Sequence, residues 1–229
     1  MSKKIIFWGL LPLCFSLVAC ASGSSNSESL SQSDSPDRPP ATETEIDSQT
    51  VTNPSTPSPS PPVADETRVR ILAQLYAQEE SLELCDDFLD RDYSQNASQV
   101  FALNEQAYLV QVGCFLAAYQ ANYEFFTYTP TDADTDSGGE FTPLTLTVFN
   151  QTESGDISQA EVRNVAGLST YSPATRSLNI FTKYRGIGDC GTLADYQLKD
   201  GKFELVKYQA KFDCDGNYVE PEEYPQIFP

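Results

Sequence analysis

The chain has 229 residues, with 33 Asp and Glu against 14 Lys and Arg, a formal net charge of −19 and no histidine. So negative a chain repels phosphate backbones, which argues against a nucleic-acid partner. Without histidine there is no Ser-His-Asp or Cys-His nucleophile system and no His-ligated zinc.

Lys3 and Lys4 precede an apolar run from Ile5 to Ala19, broken by Gly9, Pro12, Cys14 and Ser16. Spanning hydrocarbon takes about 20 apolar residues, so the run is short for a transmembrane helix and fits a secretory signal. It ends Leu17-Val18-Ala19-Cys20 and is followed at once by Ser, Asn and Gly. That pattern resembles the bacterial lipobox, which implies that residues 1–19 are removed and that Cys20 is lipidated. Acyl chains of the palmitate type would then anchor the protein to a membrane of the cell envelope. Ala21 stands where an Asp would signal inner-membrane retention, so the expected site is the periplasmic face of the outer membrane, where a cell has one.

Residues 21–65 contain 12 Ser, 5 Thr and 8 Pro, and Leu30, Ile46, Val51 and Val63 are the large apolar residues. This composition buries too little apolar surface to offset ordering entropy and predicts a disordered tether over 20–65. Pro54–Pro62 favours extended polyproline II. A globular domain is expected over 66–229.

Within that domain the spacing of Val69, Leu72 and Tyr76, with Ile71 and Leu75, predicts a helix from about residue 68, capped by Asp65 or Thr67. It either continues through Leu82, Cys85 and Leu89 or breaks near Glu79-Glu80-Ser81. After Ser94 the period becomes two. Tyr108, Val110, Val112 and Cys114 alternate with Leu109, Gln111 and Gly113, and Tyr123, Phe125 and Thr127 form another alternation. Leu144, Leu146 and Val148 form a third. Val206, Tyr208, Ala210 and Phe212 alternate with Lys207, Gln209 and Lys211, which predicts a half-solvated strand. Asp200-Gly201 is a hairpin signal, and Ser172–Ser177 reads as the turn of another hairpin. The expected fold is α+β, mostly antiparallel β with an N-terminal helix, in one disulfide-stapled domain.

Four cysteines remain beside Cys14 and Cys20: Cys85, Cys114, Cys190 and Cys214. An even number in an exported domain suggests two disulfides, for which three connectivities exist. Cys85–Cys114 and Cys190–Cys214 are favoured because each joins neighbouring elements. A Cys₄ zinc site is the competing reading, although zinc knuckles place cysteines in close pairs and no two here lie within five residues.

Residues 186–191 read Gly-Ile-Gly-Asp-Cys-Gly and satisfy the dinucleotide fingerprint G-x-G-x-x-G. That fingerprint needs a helix opening at its third glycine, whereas Thr-Leu-Ala-Asp-Tyr and the Asp-Gly hairpin follow here. The glycines Gly186, Gly188 and Gly191 are read as a tight loop, and no cofactor is expected. Lys183, Arg185 and Asp189 form a charge cluster, read as a loop salt bridge. Asp132, Asp134 and Asp136 alternate ahead of Glu140 and offer oxygens to a calcium ion, but the EF-hand register fails at Ser137 and Pro143. Asp213, Asp215 and Asn217 around Gly216 form a second such cluster, equally readable as a turn.

The run Tyr184–Gly191, with Tyr196, Phe203-Glu-Leu205, Cys214-Asp-Gly216 and Glu223-Tyr-Pro225, resembles the C-terminal signature of an exported bacterial family. That family is domain of unknown function 1176, and the likeness is greatest to its cyanobacterial lipoprotein members. Tyr171–Leu178 is similar to the hairpin ahead of that signature. Tyr224 stands where relatives often carry Trp. The resemblance implies a β-rich, disulfide-stapled envelope domain, marks Arg185, Gly186, Gly188, Asp189 and Gly191 as its loop, and carries over no catalytic residue. The expected function is a non-catalytic binding or structural module with an envelope protein or polymer as partner. Nothing in the sequence indicates how many copies assemble. The alternative is a histidine-free hydrolase of envelope polymers, which needs only two carboxylates among the 26 in residues 66–229.

Overall fold

In a computed structural model of the chain, residues 63–131 and 138–229 are described. The signal run, Cys20, the tether up to residue 62, and Asp132, Asp134 and Asp136 lie outside them. The first helix, α1, runs Asp65–Ala77 and buries Ile71, Leu72, Leu75 and Tyr76. It starts earlier than the spacing predicts, with Ala64 at the cap position and no side-chain cap. Val69, expected on the buried face, is 60% exposed. The pattern breaks at Gln78: α2 is Glu79–Leu82 and a 3₁₀ turn covers Leu84–Asp87. A third helix, α3, runs Arg91–Ala97, and its cap Asp90 accepts a hydrogen bond from the Tyr93 N–H at 3.1 Å.

Eleven strands follow in sequence: β1 Gln99–Asn104, β2 Ala107–Leu116, β3 Ala121–Thr129, β4 Glu140–Pro143, β5 Leu146–Gln151 and β6 Ile157–Val162. Then come β7 Val165–Ser172, β8 Ser177–Lys183, β9 Gly191–Lys199, β10 Lys202–Lys211 and β11 Gln226–Phe228. Nine form one antiparallel sheet in the order β1-β2-β3-β7-β8-β9-β10-β11, with β4 also paired to β3. β5 and β6 make a separate two-stranded sheet. The β9–β10 hairpin turns at Asp200 and Gly201, with φ of 49° and 73°, the two left-handed positions that make Asp-Gly a hairpin sequence. Ser172 pairs with Ser177 across the β7–β8 turn.

Both faces of the sheet are covered at β2 and β3, and that changes the meaning of the alternations there. Val110, Val112, Phe126 and Tyr128 pack with Ile71, Leu75 and Leu84 from the helical segment. Their immediate neighbours Leu109 and Phe125 point the other way and pack with Leu146, Tyr196, Phe203 and Tyr208. On that face the β5–β6 hairpin lies across the sheet. Tyr196 and Tyr208 donate their hydroxyls to the Thr147 and Phe149 carbonyls, at 2.9 and 3.3 Å. The Phe149 ring meets Tyr208 edge-on with centroids 5.2 Å apart. β2 is consequently buried on both sides. β10 also departs from the expected alternation: a bulge between Leu205 and Lys207 leaves Val206 exposed, and Gln209 is buried. The Gln209 Nε2 donates to the Glu222 and Tyr224 carbonyls at 2.7 and 2.9 Å, which offsets part of the cost of burial, while its Oε1 is buried without a partner.

α3 reaches β2 because Gly113 has no side chain, since a Cβ there would lie 2.7 Å from the Ala97 Cβ. The Gly113 N–H donates to Ser98 Oγ at 3.1 Å, and the Tyr76 and Ser94 hydroxyls are hydrogen-bonded at 2.8 Å, joining α1, α3 and β2. Two disulfides, Cys85–Cys114 and Cys190–Cys214, close loops of 29 and 24 residues. The fold is α+β, mostly antiparallel sheet with a helix near its start, in one domain stapled by two disulfides. Among the described residues no helix is long and apolar enough to cross a membrane.

Candidate functional site

Three parts of the signature, the loop 184–191, Cys214-Asp-Gly216 and Tyr224, meet at one end of the sheet, whereas Tyr196 and Phe203–Leu205 lie further along β9 and β10. β8 leads into the loop 184–190, and Gly191 opens β9 between Lys183 of β8 and Lys211 of β10. A Cβ at Gly191 would stand 2.1 Å from the Thr182 carbonyl oxygen, so the two strands approach as they do only because this residue is glycine. Gly188 has φ 71°, the left-handed conformation the loop needs to return. Cys190 then bonds to Cys214 and ties this loop to the segment after β10.

Asp189 is buried, and its carboxylate is fully used. It accepts from Arg185 Nε at 2.6 Å, from Arg185 Nη2, and from the Gly216 N–H at 2.7 Å. Lys211 Nζ donates to the Asp189 carbonyl at 2.8 Å, to Asp215 Oδ1 at 2.6 Å and to the Asn217 carbonyl at 2.7 Å. Tyr224 Oη donates to the Gly188 carbonyl at 3.2 Å. The acidic cluster at 213–217 is therefore a turn closed on itself. Asp215 accepts from Asn217 as well as from Lys211, and these bonds hold its carboxyl well below the usual range. On the other side, the Gln120 amide bonds the Lys183 N–H and carbonyl at 2.9 and 3.1 Å, and Tyr119 Oη donates to the Tyr184 carbonyl at 3.1 Å. Tyr119, Tyr184 and Ile187 are exposed around this junction.

The Arg185 guanidinium pulls the Asp189 carboxyl down from 3.8 to about 2, against the opposing effect of desolvation and with help from the Gly216 N–H. A group whose folded value is depressed stabilises the fold above its unfolded value, and that contribution is lost as pH falls through the folded value. The stability gap between wild type and Asp189→Asn is expected to shrink as pH falls from about 4 to about 2, measured as urea midpoints at each pH. Parallel pH profiles for the two proteins would refute this role.

A second concentration of polar chemistry, which sequence patterning passed over, lies under the first disulfide. Glu124 on β3 is 1% exposed, flanked by Tyr123 and Phe125. Its Oε2 accepts from the Cys85 N–H at 2.9 Å, and its Oε1 lies 3.4 Å from Arg163 Nη2. Burial pushes the carboxyl above its ordinary range, outweighing the lowering by the Cys85 N–H and by Arg163. Asn164 Nδ2 donates to Asp86 Oδ2 at 2.6 Å, and the Arg163 guanidinium sits 5.9 Å from the centre of the Phe126 ring. The available signal was a Glu inside the apolar run Tyr123–Phe126, but nothing local says that its other face is covered. The Cys85 and Cys114 sulfurs and a Glu124 oxygen lie within 4.8 Å of one another. Because the sulfurs are bonded to each other, this trio is not a metal site while the disulfide is closed.

Of the calcium candidates only Glu140 is described. It is exposed at the start of β4, opposite Thr129. The expected loop residues Arg185, Gly186, Gly188, Asp189 and Gly191 are brought together, with Lys211, Asp215 and Tyr224 added by tertiary contact.

No curated protein and no solved structure matches the chain. One family profile, described as Protein of unknown function (DUF1176), matches residues 33–228. That stretch includes the Cys190 loop, the Cys214 turn and the Glu223-Tyr-Pro225 motif, so on nearly its whole length the chain belongs to the DUF1176 family.

Proposed function

We propose that this is a lipid-anchored bacterial envelope protein and a non-catalytic binding or structural module. Residues 1–19 act as its signal, Cys20 as its lipidation site, 20–65 as a spacer and 66–229 as the displayed domain. The observation that carries the reading is the pair of disulfides, since sulfur bridges persist in oxidising compartments and are rare in a reducing cytoplasm. The lipobox-like Leu17–Cys20 and the resemblance to the family's cyanobacterial lipoproteins support the anchor. Ala21 supports the outer membrane. The charge of −19, which becomes −21 without Lys3 and Lys4, keeps the domain off anionic headgroups and favours presentation toward an envelope protein or polymer.

The signature residues support a structural rather than a chemical use of this end of the sheet, because Arg185 pairs with Asp189, Lys211 pairs with Asp215, and their remaining bonds go to backbone. A carboxylate hydrolase would require a raised carboxyl facing substrate. Glu124 has the raised carboxyl but lies sealed beneath Cys85.

In cells fed an alkyne analogue of palmitate, the wild-type chain is expected to incorporate label and Cys20→Ala to fall to background. Equal labelling of the two would overturn the anchor. Cross-linking of the wild type in its native membrane is expected to recover one stoichiometric envelope partner. An even spread of neighbours would overturn the binding reading.

A further inference from the structure

Residues 83–87 turn against the natural handedness of the chain. Glu83, Cys85, Asp86 and Asp87 have φ of 50°, 61°, 50° and 67°, four left-handed residues in five with no glycine among them. Each costs free energy because its Cβ crowds the following carbonyl, and such strain persists only where the surroundings impose it. The ties on this segment are few. Arg163 Nη2 donates to the Leu82 carbonyl at 2.9 Å, Asn164 holds Asp86, the Cys85 N–H holds Glu124, and the Cys85–Cys114 bond is the covalent one. Beneath the bond, Glu124 Oε1 is buried without a hydrogen-bond partner, and a carboxylate oxygen of Glu124 lies within 4.8 Å of both sulfurs. Asn164 Oδ1 lies 3.7 Å from Cys114 Sγ.

We propose that Cys85–Cys114 is a redox-operated latch, opened by an extracytoplasmic dithiol with Glu124 as proton donor to the departing Cys114 sulfur. Cys85 is 2% exposed in the closed fold, so the strained segment first swings outward, and a thiolate of the dithiol then attacks Cys85 Sγ. The Cys85–Cys114 bond breaks, a mixed disulfide forms, and its electron pair leaves on Cys114 Sγ. That sulfur takes the proton from Glu124 and, as a thiol, donates to Asn164 Oδ1. The second thiolate of the reductant then attacks its own sulfur in the mixed disulfide, closing the reductant's disulfide and releasing Cys85, which is protonated from water. Two electrons and two protons pass from dithiol to protein, and Glu124 regains its proton from the solvent that received those of the dithiol. With the covalent tie gone, residues 83–87 relax toward right-handed conformations and Leu84 leaves the core.

The second disulfide is an internal control. Around Cys190–Cys214 the left-handed residues are the glycines Gly188 and Gly216, which bear no such strain, and Cys214 is exposed. Accessibility alone would open Cys190–Cys214 first, whereas stored strain opens Cys85–Cys114 first. The folded full chain would be equilibrated in graded ratios of reduced to oxidised dithiothreitol, alkylated, and its cysteines mapped by mass spectrometry. Cys85 and Cys114 are expected to be alkylated at a reductant ratio about tenfold lower than Cys190 and Cys214. Simultaneous opening, or Cys190–Cys214 first, overturns the latch. Asp87→Gly accommodates the left-handed turn without strain and leaves the Asn164–Asp86 bond in place, so it is expected to shift the Cys85–Cys114 equilibrium about fivefold toward the disulfide. No shift overturns the strain. Glu124→Gln is expected to slow the opening about a hundredfold at neutral pH while leaving Cys190–Cys214 unchanged, which also reports that the variant is folded. An unchanged opening rate overturns the proton donor.

Discussion

Replacing Cys190 and Cys214 together by serine is expected to lower the unfolding free energy by about 3–4 kcal/mol, the chain-entropy value for the 24-residue separation between them. That separation encloses the whole β9–β10 hairpin. The bridge joins the loop ahead of β9 to the turn after β10, so in the unfolded chain it holds together the two ends of a segment that otherwise explores freely. The hydrogen bonds of Asp189, Lys211 and Tyr224 survive the substitution in kind, but they must then order the loop without a covalent tie. Urea unfolding followed by circular dichroism measures the loss, and a shift below about 1 kcal/mol would mean that the noncovalent lock suffices. Tyrosine emission is the natural second probe, because the single Trp is Trp8 and lies outside the described domain.

Phe125→Ala and Phe126→Ala are each expected to cost about 3–5 kcal/mol, although the two residues are adjacent on one strand. Phe125 is buried toward the β5–β6 side and meets Phe203 edge-on at 5.5 Å, while Phe126 is buried toward the helices and meets Phe141 edge-on at 6.4 Å. A strand with one face in water would show a large cost at one position and little at its neighbour. Measured by denaturant unfolding, a cost below about 1 kcal/mol at either residue would mean that one face of the sheet is not covered in solution.

The same pair shows how far local pattern could be read. Alternation placed strands at 108–114, 123–127 and 206–212, and the Asp200-Gly201 signal located a hairpin turn, because both depend on interactions within a few residues. Alternation also predicts water on one side, and here it misleads. Leu109, Gln111 and Gln209 are buried because elements distant in sequence cover them. Val206 is exposed because a bulge reverses the register of β10. The helix shows the converse limit, since its spacing includes Val69, which is exposed because none of the described elements covers that side of α1.

The signature loop was legible as a tight glycine turn around a bonded cysteine, since glycine at a left-handed or crowded position leaves its mark in sequence. Its partners were not, because Lys211, Gly216 and Tyr224 reach Asp189 and Gly188 only after β9 and β10 have folded back. Glu124 was invisible for a related reason: a lone acid in an apolar run reads as a solvent-facing position until a second layer closes over it.

By themselves, the residues determined the charge of the protein, its lack of histidine chemistry, its family, its α+β strand-rich class and the hairpins that build it. Only the tertiary structure decided that both faces of β2 and β3 are buried, that the charges of the signature loop are paired within the fold, and that a strained left-handed turn is bolted above a buried acid. Propensity, period and turn chemistry act between near neighbours and are written in order along the chain. Burial, ion pairing and strain depend on which distant segment arrives, and that is settled by packing the whole.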